Sequence, residues 1–277
     1  MKSELYHYCS FDAFLAILKN KTIKFSDITK SNDFAEINLL WNKYAECIEK
    51  TCSNPIAHTL LNHEIKNQME QTDFLVACFT SEADMLHMWS CYANEGVAIG
   101  FDQQKMREWC NRISIYDNAV TLNDNTNNSS EFVRFDEVAY FGKDKLETHI
   151  LDRCKGIEFV DERFEEIFKN APFSKTDFWK IENEWRISIS LIYSTQLLQL
   201  EIPKEIQIPR KLEMFVESKN GFQNCICCYV PFEQEMITSI RLAPNCRVSE
   251  KEIEKILLIN NFDPNKIDIR QSTGTLR

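Results

Sequence analysis

Glycine is scarce in this chain: of 277 residues only six are glycine, at positions 96, 100, 142, 156, 221 and 274. None makes a GxGxxG turn or a GxxxxGK loop, so neither the Rossmann dinucleotide fingerprint nor a P-loop is present. A dinucleotide bound here would need another way of holding its phosphates. Long apolar runs are also missing. The strongest, Phe74 to Phe79, is far short of the roughly 18 residues a membrane span needs and reads as a buried strand. The first residues, MKSELYHY, lack the apolar stretch of a secretory signal. These absences predict a cytoplasmic protein with no membrane partner.

Basic charge is in deficit as well, with 32 Lys and Arg against 42 Asp and Glu and a formal net charge of −10. That balance excludes broad, non-specific attachment to nucleic acid or anionic membrane, both of which require a basic footprint. Cysteine is plentiful but lacks a framework: 11 residues, an odd number, are scattered from Cys9 to Cys246. The pattern predicts reduced, buried thiols rather than a disulfide scaffold. Cys225, Cys227 and Cys228 have no second C-x-x-C or paired histidine to complete four zinc ligands, so no metal site is predicted.

What is present is a packed globular composition, 44% hydrophobic and 27% charged, with 19 Phe and 5 Trp. LYHY and TIKFSD read as strands around the helix FDAFLAILKN, for which Ser10 is an N-cap. Ser31 or Asn32 then caps a long helix with a stripe of Phe34, Ile37, Leu40, Trp41, Tyr44 and Ile48. FLVACF is a third strand. Ser81-Glu82-Ala83-Asp84 forms a capping box before the helix DMLHMWSCYAN, and GVAIGFD is a buried strand. From Gln103 to about Arg134 the pattern weakens into a polar, asparagine-rich insertion. FDEVAYF follows as a strand, Asp144 to Lys169 as a helix, then KIENEWRIS, CICCYVPF, ITSIRLAP, the helix SEKEIEKILLIN and a last strand near KIDIRQS. Strands and helices mix without βαβ spacing or repeat, which predicts a single α+β domain over residues 1–277.

KIENEWRIS carries the chemistry. As a strand it projects Glu182, Glu184, Arg186 and Ser188 to one side, the carboxylates about 7 Å apart, with Trp185, Ile187 and Ile189 opposite. One interpretation is a sheet with a wet face. The other is a catalytic carboxylate at a strand start, held by Arg186 and accompanied by a second carboxylate. A carboxylate steadies an oxocarbenium-like centre at an anomeric carbon. The nicotinamide of NAD leaves as a neutral base and needs no acid, so one carboxylate suffices for cleavage and the other steers or deprotonates the nucleophile. A Mg²⁺-dependent nuclease on Glu182, Glu184 and Asp177 is a further option. Against it, Arg186 stands two residues after Glu184, where a lysine would be wanted, and arginine is a poor general base.

The order LYHYCS, FSD with KSNDFAE, CFTSEADMLHMWSCYANEGVAIGFD, WKIENEWRIS and SIRLAPNC closely resembles the bacterial family termed domain of unknown function 2971, over almost the whole chain. That family looks like a divergent branch of the ADP-ribosyltransferase fold, which implies a mixed, mostly antiparallel core sheet in two parts flanked by helices. By that resemblance His7 hydrogen-bonds a ribose hydroxyl of NAD, and Ser10 or Ser26 helps hold the nicotinamide half. Glu184 engages the 2′-hydroxyl of the nicotinamide ribose and stabilises the developing cation, while Glu182 orients the acceptor. Asn32 and Asp33, otherwise a helix cap, recur with Glu36 and would close the cleft. Trp89 and Tyr92 are candidates for the aromatic that stacks on nicotinamide, with core packing the alternative for at least one. Arg186 completes the nucleotide-binding set. The sequence departs from the superfamily in having no STS triplet at Ser26.

The implied activity is NAD-dependent transfer of ADP-ribose to an acceptor, protein or nucleic acid, as in bacterial toxins and anti-phage effectors. An inhibitory protein that restrains such an activity joins the expected partners. The alternative is a binding module that keeps the cleft without catalysis and recognises a nucleotide or a protein.

Overall fold

The computed structural model describes residues 3–30, 36–51, 54–116, 119–122, 132–142, 169–192, 210–219 and 223–274. Along the chain come β1 (Glu4–Cys9), α1 (Phe11–Asn20) and β2 (Thr22–Asp27), then α2 (Glu36–Thr51), α3 (Pro55–Gln71) and β3 (Thr72–Thr80). A short helix, α4 (Leu86–Met88), runs into a π turn at Trp89–Ala93 and is followed by β4 (Val97–Asp102) and α5 (Gln103–Cys110). Then come β5 (Ile113–Tyr116), β6 (Ala119–Leu122), β7 (Val133–Glu137), β8 (Ala139–Phe141), β9 (Ser174–Thr176) and β10 (Glu184–Ile192). The last elements are β11 (Arg210–Lys211), β12 (Met214–Lys219), β13 (Gln223–Pro231), β14 (Ile237–Leu242), α6 (Glu250–Ile259) and β15 (Asp268–Gln271).

Ten of these strands form one mixed sheet, ordered β12-β13-β2-β3-β1-β4-β14-β15, with β10 on β3 and β7 on β10. Among the described residues, only β14 and β15 pair in parallel within it. The α+β, mostly antiparallel expectation therefore holds, but the core is one continuous ten-stranded sheet rather than a sheet in two parts, with a three-stranded sheet (β11-β6-β5) and a two-stranded one (β8-β9) beside it. One edge of β3 is taken along its whole length by β10, from Glu184↔Thr80 to Ile192↔Thr72. Its other edge is shared: β2 pairs at Val76 and Leu75, and β1 pairs only at Thr80, opposite Tyr6. Between those contacts β1 and β2 part, leaving Ala77, Cys78 and Phe79 without a neighbouring strand on that edge among the described residues. The split exists because β1 commits six residues to β4, Glu4↔Asp102 through Cys9↔Val97.

The core is assembled from the inward side chains of these strands and α1: Leu5, Phe14, Leu18, Phe25, Phe79, Ile99, Ile187 and Ile240 are all essentially inaccessible. Burying such residues stabilises by about 1.5–3 kcal/mol each. Ser10 caps α1 as the sequence predicts, its hydroxyl accepting from the Ala13 amide at 3.3 Å. Ser249 and Glu252 form a reciprocal capping box on α6. Gly96 lies where a Cβ would meet the Cys9 carbonyl oxygen at 2.1 Å, so β4 can only start this close to the end of β1 without a side chain.

Four expectations change. Ser81 does not cap a helix, because residues 81–85 are bends and α4 begins at Leu86. The Asp84 carboxylate instead accepts from the Trp89 indole at 2.7 Å and the Thr273 amide at 3.1 Å, which ties the carboxyl-terminal segment to this bend. The insertion starts later than Gln103: Asp102 caps α5 through the Gln104 and Lys105 amides, and β5 and β6 form a hairpin joined by β11. The asparagine-rich stretch from 123 to 131 lies outside the described residues, as does the expected helix up to residue 168. Helix α3 was not anticipated, since its sequence has little apolar periodicity. Finally, KIENEWRIS is not one strand with a wet face. Asp177–Glu182 is a 3₁₀ helix closed by Asn183 in the left-handed region at φ 42°, a conformation asparagine tolerates better than most residues. The strand begins at Glu184, and Glu184, Arg186 and Ser188 are all buried.

Among the described residues no helix is long and apolar enough to cross a membrane.

Candidate functional site

The parting of β1 from β2 opens a cleft of about 300 Å³ floored by β3. His7 enters it from β1, Ser26 from β2, Cys78 from β3, and Glu184 and Arg186 from β10, while Tyr92, Trp179, Lys175 and Glu182 close it from outside the sheet. Its size is at the lower end of small-molecule sites.

His7 is set by the split itself. The Cys78 carbonyl would face a neighbouring strand in an unbroken sheet, and here it lies 2.9 Å from His7 Nδ1. A carbonyl can only accept, so Nδ1 carries the proton and donates, which leaves Nε2 as an acceptor. Burial lowers the imidazole below its ordinary range, partly opposed by that bond to Cys78, and the ring stays neutral at pH 7.

The carboxylates meet through a residue that the sequence reading did not single out. Lys175 on β9 is nearly inaccessible, and its Nζ lies 2.7 Å from Glu182 Oε2 and 2.8 Å from Glu184 Oε2. Arg186 grips Glu184 on both oxygens, Nε to Oε1 at 2.7 Å and Nη2 to Oε2 at 2.9 Å, and its Nη1 donates to the Pro172 carbonyl at 2.6 Å. Burial on its own would raise the Glu184 carboxyl. The Arg186 and Lys175 charges outweigh it and hold the group down at about 2. Two carboxylates and two cations thus form a network of no net charge, the arrangement that makes such burial tolerable.

Around that network, the Tyr92 hydroxyl donates to Glu182 Oε1 at 2.5 Å. The Tyr140 hydroxyl receives the Glu184 amide at 2.8 Å and so fixes the start of β10. Burial, then the hydrogen bond and charge of Glu182, raise the Tyr92 phenol far above its usual range. Burial, then the charge of the neighbouring Glu184, likewise raises the thiol of Cys78, which lines the cleft. The Lys175 ammonium sits 5.4 Å from the centre of the half-buried Trp179 ring, a cation–π contact.

Of the residues expected in the site, His7, Ser26, Tyr92, Glu182, Glu184 and Arg186 line the one cleft. Ser10 is not among its lining residues, since its hydroxyl is engaged by α1. Trp89 is fully buried, with its indole N–H on Asp84 and its ring edge-on to Tyr8 at 4.6 Å, so it is a core residue and presents no face for stacking. The π turn separates the roles of Trp89 and Tyr92, which plain helical spacing would place on one face. Asn32 and Asp33 lie outside the described residues. Asp177, proposed as a third metal ligand, is exposed and does not line the cleft. The three clustered cysteines are buried free thiols on β13.

Besides Cys78 and Tyr140, Lys175 and Trp179 are site residues not anticipated. Their only sequence signal is closeness to Glu182, in SKTDFWKIENE. The 3₁₀ helix folds that short distance back on itself, and nothing in the residue types announces such a turn except Asn183.

No curated protein and no solved structure matches the chain. Over residues 88–187, which hold Tyr92, Lys175, Glu182, Glu184 and Arg186 but not His7 or Ser26, the chain matches the model of the family described as Protein of unknown function (DUF2971).

Proposed function

We propose that this protein is an NAD-dependent ADP-ribosyltransferase-like protein that opens the nicotinamide–ribose bond and passes ADP-ribose to an acceptor, in the manner of a toxin or anti-phage effector. The observation that carries the reading is the convergence of His7, Ser26 and Glu184, from three separate strands, on one cleft at the split in the sheet. Nicotinamide riboside would lie between β1 and β2, with a ribose hydroxyl donating to His7 Nε2 and Ser26 near the nicotinamide. The remainder of NAD would extend through the open mouth, which calls for no glycine-rich loop.

The C1′–N bond breaks with its electron pair leaving on neutral nicotinamide, and the positive charge develops on the ribose. Glu184 is charged at every physiological pH and stands where it can oppose that charge. Its carboxylate offers about four acceptor positions. Arg186 and Lys175 take three of them, and the Cys78 thiol lines the cleft beside the carboxylate. A ribose 2′-hydroxyl, a stronger donor than a thiol, would take the fourth position. Glu182, bound by Tyr92 and Lys175, stands toward the turn that carries exposed Phe178 and Ile181, the side from which an acceptor would approach.

A second reading draws on the same network. Because Arg186 and Lys175 cancel the charge of Glu184 and Glu182, the cleft suits recognition of a nucleotide without turnover. Incubating the folded protein with NAD, with and without cell extract as acceptor, separates the two. Nicotinamide release that is lost in Glu184→Gln supports transfer. Saturable NAD binding with no release supports the binding module. If the folded protein neither binds nor consumes NAD, both readings fail.

A further inference from the structure

Past Arg186, the polar face of β10 continues into a second cavity of about 260 Å³, lined by Phe132, Arg134, Lys169, Asn170, Phe173, Ser188 and Ser190. None of these residues lines the first cleft. Ser188 is 2% exposed, and among the described residues its hydroxyl has no hydrogen-bond partner. A buried hydroxyl left unpaired costs about 1–3 kcal/mol and calls for an explanation.

Arg134, directly across from Ser188 in the β7–β10 ladder, is held in place on three sides. Its Nη1 donates to Asn170 Oδ1 at 2.6 Å, its Nη2 to Asp136 at 2.7 Å, and its guanidinium lies 4.6 Å from the centre of the Phe173 ring. Those bonds leave its Nε–H without an acceptor among the described residues. Arg134, paired with Asp136 at 2.7 Å, and Lys169 both line the cavity.

We propose that this cavity binds the oxyanion of a small organic phosphate, with the Ser188 hydroxyl and the Arg134 Nε–H as donors and the phenyl rings of Phe132 and Phe173 as walls for the organic part. A preset guanidinium beside a hydroxyl donor matches phosphate oxygens. The volume exceeds that of inorganic phosphate alone and suits a sugar phosphate. The site is independent of the reading of the cleft.

Calorimetric titration of the full chain with inorganic phosphate, ribose 5-phosphate and ribose tests it. Both phosphates should bind saturably, ribose 5-phosphate the tighter, and ribose should give no saturable heat. Ser188→Ala and Arg134→Gln should each weaken ribose 5-phosphate by about tenfold or more, while His7→Ala, in the other cavity, should leave it unchanged. Ser188→Ala removes a hydroxyl that has no protein partner, so its thermal midpoint should equal or exceed that of the wild type, and a loss of binding in it is not a folding artefact. Absence of saturable phosphate binding overturns the proposal, as does affinity that survives both substitutions, affinity abolished by His7→Ala, or ribose binding as tightly as its phosphate.

Discussion

Replacing Glu184 by Gln keeps the shape of the side chain and removes the charge that Arg186 and Lys175 share. In the folded chain the carboxyl lies at about 2, against 4.5 for an unperturbed glutamate. Burial opposes that depression, and the Arg186 and Lys175 charges produce it. A difference of about 2.5 units corresponds to about 3 kcal/mol of stability. Because the folded value is the lower one, the contribution is complete above the unfolded value and is lost as the pH falls toward the folded value. At about pH 3.5 roughly 2 kcal/mol should remain.

Urea unfolding of wild type and Glu184→Gln at about pH 7, 5 and 3.5 reads this directly. The gap between them should be about 3 kcal/mol or more near neutrality, since the variant also leaves buried cations undercompensated. It should narrow by about 1 kcal/mol at the acidic end. A gap that stays constant with pH, or a variant as stable as the wild type at neutrality, would refute the claim that this carboxylate is charged and paired in the folded state.

Lys175→Met should cost about 3 kcal/mol in the same assay, because two buried carboxylates then lose their common cation. Burial lowers the His7 imidazole below its ordinary range, so NAD affinity should be flat from about pH 7 to 8, and a rise in affinity on acidification through that interval would show that the charged ring binds. Ser10→Ala should lower stability by about 1 kcal/mol through loss of the α1 cap, with NAD affinity measured by calorimetry unchanged.

The parts of the fold that rest on local pattern were legible in the sequence. Alternating and continuous apolar runs gave β1 to β4, β7, β10, β13, β14 and β15, though not β5, β6, β9, β11 or β12, and Ser10 marked the start of α1. Asp102 was an equally ordinary cap for α5, but the asparagine-rich stretch beyond it drew the whole of 103–134 into one expected insertion. At the site, His7, Ser26 and Glu184 were identified as a set through the order of motifs. Their meeting depends on β1 and β2 diverging from the same edge of β3, which no local pattern encodes. Lys175 escaped notice for a different reason. A lone lysine usually signals a solvated surface, and its burial follows from two carboxylates that only the Asn183 turn brings within its reach. Trp89 and Tyr92 were separated by a π turn, a departure from helical spacing that a stripe of residue types does not reveal.

The central claim is that a nicotinamide riboside sits in the split between β1 and β2. A structure of the chain with bound NAD, or with an analogue whose nicotinamide–ribose link cannot break, tests it most directly. The account predicts a ribose hydroxyl within hydrogen-bonding distance of His7 Nε2 and the anomeric carbon facing the Glu184 carboxylate. Ligand density elsewhere on the protein, with the cleft unchanged, would contradict it.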